Sequence, residues 1–209
     1  MNVLIVGATR GIGFELLRQA LEHQHTVTVL ARSPHQLSIN PQRIKVVKGD
    51  ILDPNAVETA TAGQDAVCCS IGTGPTWKPV AVFSEGTKNL LQAMQKHGVK
   101  RLICVTGIGA GDSKGHGGFL YDRIFNPLLL RSIYADKDRQ EALIKASNVD
   151  WVIVRPGFLT EGPLTKRYRA LTDLRGVTAR KISRADVAHF ILEQLDSNNY
   201  LKQSPLLTY

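Results

Sequence analysis

Cysteine is scarce in this sequence, at three in 209 residues. Cys68 and Cys69 adjoin in one apolar run and Cys104 lies in another, with neither a Cys-x-x-Cys pair nor a Cys/His spacing that would hold zinc. This excludes a disulfide-stapled scaffold and a zinc module, and the three thiols read as reduced core residues. Long apolar runs are missing too. None approaches the roughly 20 residues that a spanning helix requires. The opening Met1 to Arg10 lacks the basic head and long apolar stretch of a signal peptide, so the expectation is a cytoplasmic chain that meets no membrane. The six histidines are scattered without ligand spacing, and no metal is expected. No GxxxxGK[ST] occurs, and Cys68 to Gly72 lacks the first glycine of a GxSxG elbow, which removes P-loop and serine-hydrolase chemistry.

What is present is ordinary globular material, 43% hydrophobic and 21% charged, which argues against disordered, collagen-like or coiled-coil classes. The length suits one domain over 1–209 that buries roughly 70% of its unfolded surface. The formal charge of +8 admits either an anionic small ligand or a nucleic-acid surface.

Short runs rich in β-branched residues recur at Asn2 to Val6, Thr26 to Leu30, Arg43 to Val47, Asp65 to Cys69, Arg101 to Val105 and Trp151 to Val154. Each reads as a strand buried on both faces. Between them, Ile12, Leu16, Leu17, Ala20 and Leu21, and Val80, Phe83, Thr87, Leu90, Leu91 and Met94, recur at three- and four-residue spacing, the second pattern stopping at Gly98. Ser183 and Asp186 have the spacing of a capping box ahead of Val187, Phe190, Ile191 and Leu195. Alternation of buried strand and amphipathic helix predicts an α/β fold, a Rossmann-like doubly wound parallel sheet in a single domain. Two stretches break the rhythm. Gly107 to Arg131 carries five glycines between Gly109 and Gly118, a content that raises the question of a mobile lid over 109–118 without answering it, and Gly157 to Lys181 is long and basic. With 72–79 they make up the expected substrate side.

Gly7, Gly11 and Gly13 follow the first strand and open the first helix. A glycine turn lets backbone approach a pyrophosphate, whose charge meets free N–H groups and the positive helix end. Thr9, Arg10 and Ile12 complete that turn. At the end of the second strand, where an NAD-selective site would offer a carboxylate, the chain has Ala31-Arg32-Ser33. Arg32 can fork onto a 2′-phosphate, with Ser33 donating and Arg10 approaching from the turn, so NADPH is predicted over NADH. Asp50 and Ile51 after the third strand, and Ser70, Ile71 and Gly72 after the fourth, sit at carboxyl ends where further cofactor contacts are expected.

The sequence resembles the atypical short-chain dehydrogenase/reductases of the NAD(P)H-binding, NmrA-like kind, and within them the biliverdin reductase B or flavin reductase type. The resemblance runs along nearly the whole chain. It rests on GAT at 7–9, VTVLAR at 27–32, GD at 49–50, AGQDAV at 62–67, GT at 72–73, SEG at 84–86 and HGV at 97–99, then PLT at 163–165, Tyr168, Ile182-Ser183, Asp186 and His189-Phe190. It implies NADPH-dependent reduction of flavins or bilins, the flavin being substrate rather than bound prosthetic group. Two departures stand out: Arg10 where such relatives often carry glycine, and Gly107 after Thr106 where that type has serine.

Ordinary short-chain dehydrogenases pair a Ser or Thr beyond the fifth strand with Tyr-x-x-x-Lys, in which lysine and cofactor lower the tyrosine pKa so that it serves as acid. Thr106 takes the first place, and Lys137 with Glu141 matches the helix, but four residues before Lys137 stands Ile133. Tyr134 is one position away, roughly 100° around a helix, and is read as packing. Thr106 and Lys137 are thus the candidate catalytic residues, Lys137 holding cofactor hydroxyls. Without a dedicated acid, a conjugated planar acceptor is easier to reduce than a simple ketone, with solvent giving the proton. Pro156, Gly157 and Phe158 follow the sixth strand beneath the expected nicotinamide, and Trp77, Phe158, Leu164 and Tyr168 are candidate walls for the acceptor.

Lys166, Arg167, Arg169, Arg175, Arg180, Lys181 and Arg184 crowd nineteen residues with one acid, Asp173. That field would attract an anionic acceptor, and with no recognised nucleic-acid motif no nucleic-acid partner is expected. The leading expectation is a hydride-transferring reductase, monomeric or a small homo-oligomer. The alternatives are a noncatalytic dinucleotide-binding redox sensor of the NmrA-like kind and a sugar-nucleotide epimerase or dehydratase.

Overall fold

A computed structural model describes residues 1–209 apart from 38, 40, 75, 77 and 120, and apart from the side chains of 41 and 125–128. Six parallel strands, β1 (Asn2–Val6), β2 (Thr26–Ala31), β3 (Ile44–Lys48), β4 (Ala66–Cys69), β5 (Arg101–Val105) and β6 (Asp150–Pro156), form the body of one sheet. The short β8 (Arg169–Leu171) and β10 (Leu206–Thr208) extend it in the order β3-β2-β1-β4-β5-β6-β10-β8, only β8 running antiparallel. The doubly wound α/β expectation therefore holds. The strand order reverses between β1 and β4, and in open α/β sheets ligands lie outside the carboxyl ends at that crevice.

Alternate strand residues point to opposite faces, which is why near-continuous apolar runs are needed. Val3, Ile5, Val27, Val29, Cys68, Ile103 and Val152 pack beneath α1 (Gly11–Glu22) and α5 (Arg184–Asp196). Leu4, Val6, Leu30, Val67, Cys69, Leu102 and Cys104 face α2 (Pro54–Thr61), α3 (Val82–His97) and α4 (Arg131–Lys145). All three cysteines are free and buried. Strand β3 departs from the two-sided burial expected of it: as the sheet's edge it has one neighbour and is only partly covered. Among the described residues no helix is long and apolar enough to cross a membrane.

Helix starts and stops follow local chemistry. Helix α3 ends on Gly98 at φ 69°, a left-handed cap that glycine adopts without strain. Ser183 caps α5 by accepting from the Asp186 N–H at 3.0 Å. The box is not reciprocal. The Asp186 carboxylate instead accepts from the Thr165 and Lys166 amides, each at 2.8 Å, and from the hydroxyls of Thr165 and Tyr209, each at 2.7 Å. That draws 163–167 onto α5.

The two segments expected to be irregular are partly ordered by distant partners. Strand β7 (Phe158–Thr160) pairs with β9 (Lys181–Ser183), closing the ends of the basic stretch into a two-stranded sheet. Within Gly107 to Arg131, residues Tyr121–Leu130 form a π-helical stretch leading into α4. The first half of the candidate lid is tied down. Gly109 N–H donates to Ser113 Oγ at 3.1 Å, Gly111 N–H to Asp138 at 2.8 Å, and Arg155 to Asp112 at 2.5 Å, with Ala110 and Ser113 fully buried. A Cβ on Gly111 would overlap the Arg155 guanidinium, so this glycine serves a close approach rather than a hinge.

Candidate functional site

One long cleft of about 940 Å3 runs across the carboxyl ends of the strands. That is near the upper end of the roughly 300–1,000 Å3 usual for small-molecule and cofactor sites. At its floor Gly7, at φ 96°, lies against β4's end, where a Cβ would stand 2.8 Å from the Ser70 carbonyl. Gly13 is the one predicted cofactor residue that does not line the cleft. It lies beneath, where a Cβ would overlap the Gly7 oxygen, and so lets helix and turn close together. Thr9, Arg10, Gly11 and Ile12 line the wall above. Arg10 is the N-cap of α1 and makes no side-chain cap bond, leaving the first amides of the helix for an anion. No carboxylate stands in this turn. Free amides, a helix N-terminus and a flanking arginine fit a dinucleotide pyrophosphate.

Arg32, Ser33, Asp50 and Ile51 line one end. The Arg32 side chain is 78% exposed and approaches Asp50 Oδ2 at 3.8 Å, a loose pair that leaves the fork mobile. Ser70, Ile71 and Gly72 continue the wall toward the middle, and Thr106, Lys137, Pro156, Gly157 and Phe158 surround the far end.

At that far end Thr106 is buried, and its hydroxyl donates to Glu141 at 2.8 Å. Glu141 is in turn held by Arg155, Nε at 3.0 Å and Nη2 at 2.6 Å, with Arg155 itself fully buried. Burial pushes the Glu141 carboxyl up, but the Arg155 fork and the Thr106 hydroxyl outweigh it and hold the group below the usual range. The Thr106 hydroxyl proton is thereby committed to the protein interior. The Lys137 ammonium donates to the Thr106 carbonyl and lies 5.3 Å from the centre of the Phe83 ring. Burial pulls Lys137 down to about 8, against the opposing pull of the neighbouring thiols and Glu141.

The packing role expected of Tyr134 needs correction. Ile133 turns into a small core with Val80 and Phe83, while Tyr134 lines the cleft. Residues three apart share a helix face as surely as residues four apart, so Tyr134 and Lys137 stand together. The Tyr134 ring lies 5.6 Å from the Lys137 nitrogen. Tyr121, from the π-helical stretch, places its hydroxyl 2.7 Å from that of Tyr134 and 3.2 Å from the Ile108 carbonyl. Burial raises both phenols, so each keeps its proton across ordinary pH. Tyr121 was legible only through tertiary contact; Tyr134 had a signal in its spacing to Lys137.

Phe158 meets Tyr121 edge-on, ring centres 5.3 Å apart, and forms an aromatic wall of the cleft. The other candidate acceptor walls lie elsewhere. Tyr168 bonds His189 at 2.8 Å and packs on Phe190, and Leu164 projects from the surface. Neither lines the cleft, because Asp186 anchors their segment to α5. Trp77 lies outside the described residues. Among the described residues no cluster of three or more His, Cys, Asp or Glu could hold a metal.

Comparison with known families adds to this geometry: residues 7–198 match the model of the NAD(P)H-binding family. The chain belongs to that NAD(P)H-binding family. This NAD(P)H-binding protein is 28% identical over 206 residues to a protein called uncharacterized sugar epimerase YhfK of Bacillus subtilis (strain 168), covering 95% of this chain and 90% of that one. It is similar in fold to ChuY of Escherichia coli O157:H7, called an anaerobillin reductase, with TM-score 0.81, 23% identity and coverage of 100% and 97% of the two chains. It is also similar to a short-chain dehydrogenase/reductase of Veillonella parvula DSM 2008 in complex with NADP, with TM-score 0.81, 18% identity and coverage of 100% and 94%. These matches agree with the atypical short-chain dehydrogenase/reductase resemblance.

Proposed function

We propose that this NAD(P)H-binding protein is an NADPH-dependent reductase that passes hydride to a flavin, bilin or similar conjugated planar acceptor. The observation that carries the reading is the far end of the cleft, where the Tyr121 and Tyr134 hydroxyls and the Lys137 amine converge beside the Phe158 ring. The bound nicotinamide would supply the hydride. The residues of the chain would supply position and proton.

Tyr134, kept protonated by burial, donates a hydrogen bond to the acceptor heteroatom on which negative charge develops. Tyr121 hydrogen-bonds the Tyr134 oxygen and so steadies it as that proton moves. Lys137, fixed by the Thr106 carbonyl, holds cofactor hydroxyls. Thr106 acts as a positioning residue, since its hydroxyl is engaged by Glu141. The aromatic edge of Phe158 and Tyr121 suits a flat ring system. A neighbour of similar fold that is named as a reductase of a bilin supports this acceptor class.

The test is steady-state oxidation of NADPH and NADH with FMN, biliverdin and a quinone each supplied in turn. We expect turnover that prefers NADPH. Tyr134→Phe, which removes one hydroxyl, should lower kcat by about 100- to 1,000-fold while leaving NADPH binding unchanged. Tight NADPH binding without turnover of any acceptor would instead support the redox-sensor reading.

A further inference from the structure

Of the seven basic residues between 166 and 184, one lines the cleft. Arg184, the first residue of α5, lies across the glycine turn: a Cβ built on Gly11 would meet its Nε at 3.5 Å and its Cδ at 3.7 Å. The Arg184 side chain therefore lies against the glycine turn, beside the uncapped start of α1. Its guanidinium is already partnered. It donates to Glu161 Oε1 at 2.5 Å, and Glu161 also lines the cleft. The two partners differ in freedom: the Arg184 side chain is 26% exposed and that of Glu161 84%. A well-placed cation is thus held by a carboxylate on an exposed stretch just beyond β7, next to an anion site that the same carboxylate repels.

We propose that Arg184 is a ligand of the dinucleotide pyrophosphate, and that Glu161 occupies its guanidinium until the pyrophosphate takes the carboxylate's place. This inference rests on the dinucleotide reading of the cleft but not on the acceptor or the chemistry. The exchange is favourable because a doubly charged pyrophosphate, already met by helix amides, offers a bidentate partner, whereas an exposed ion pair is worth little. The anion in question is the one common to both dinucleotides. Arg184 therefore sets affinity, while Arg32 sets the choice between NADPH and NADH.

The experiment is calorimetric titration of the full chain with NADP+ and with NAD+, without any acceptor. Arg184→Ala should weaken both dinucleotides by the same factor, about tenfold, the order expected for one charge-assisted hydrogen-bonding partner. Glu161→Gln frees the guanidinium and removes a repelling charge, and should tighten both by about two- to fivefold, as fits an exposed pair. The second variant keeps the test open if Arg184→Ala folds poorly, since a surface amide at 161 leaves the core untouched. Unchanged affinity in Arg184→Ala, or a loss confined to NADP+, would overturn the pyrophosphate role. Unchanged or weaker binding by Glu161→Gln would overturn the exchange. If the unaltered chain bound neither dinucleotide, the reading of the cleft would fall, and this inference with it.

Discussion

Arg32 stands 3.8 Å from Asp50 with most of its side chain in solvent, so both partners remain free to turn toward a ligand. A guanidinium so loosely held can fork onto a 2′-phosphate at small cost. Arg32→Ala should therefore weaken NADPH by about tenfold and leave NADH unchanged, which fluorescence titration of the two reads directly. Equal losses would remove Arg32 from the 2′-phosphate. Burial brings Lys137 down from its ordinary value toward neutrality. Held at about 8, it is cationic below that pH and neutral above it. The cation is the form that donates on every side, so turnover should decline as pH rises through about 8. In Lys137→Arg, which stays charged, the decline should disappear from that range even where the absolute rate is lower. A wild-type profile flat from pH 7 to 9.5 would contradict the assignment.

At the scale of elements, α3 and α4 are joined by a carboxylate that local sequence does not announce. Ala81, the N-cap of α3, has no side chain to offer the first amides. Asp136, fully buried on α4, accepts from the Phe83 amide at 2.8 Å and the Ser84 amide at 3.4 Å, and also takes the Ser84 hydroxyl and Arg139. Removing it strands buried donors as well as a cap, so Asp136→Ala should cost about 2–3 kcal/mol in urea unfolding. A cost under about 0.5 kcal/mol, the range of an ordinary surface change, would show that water or another group replaces it. The element also carries the site, since α4 presents Tyr134 and Lys137 to the cleft while Ile133, Asp136 and Gln140 face inward.

For the whole molecule, the buried pairing of Arg155 with Glu141 and Asp112, and the Asp186 hub between 165–166, α5 and Tyr209, tie the late segments to the sheet. In Glu141, Asp112 and Asp186 burial opposes ionisation but is outweighed by hydrogen-bond donors, so all three sit below their ordinary values of 4.5, 3.8 and 3.8. A carboxylate lowered in the fold gives stability that is complete above its unfolded value and drains away as pH falls through the folded one. Urea midpoints should hold from pH 7 to about 5 and drop steadily toward pH 3. A midpoint unchanged at pH 3 would contradict these ties. Lys137 acts at the other end: its lowered value makes the fold gain stability between about 8 and 10.5. The six main strands, α1, the Gly98 stop and the glycine turn were legible in the sequence because each follows from local pattern: apolar runs, 3.6-residue spacing, and turns that only glycine makes cheaply. Those patterns also pointed to the glycine turn as the place to look for a dinucleotide, since the end of a parallel strand and the start of a helix are adjacent along the chain. Tertiary structure alone decided the rest. Strands β7 to β10 are three residues each and exist only through distant partners, Tyr121 reaches Tyr134 across the junction between two helical segments, and Asp186 pulls Leu164 and Tyr168 away from the cleft they were expected to line. Such contacts depend on which side chains the fold brings together, and no spacing along a single chain encodes that.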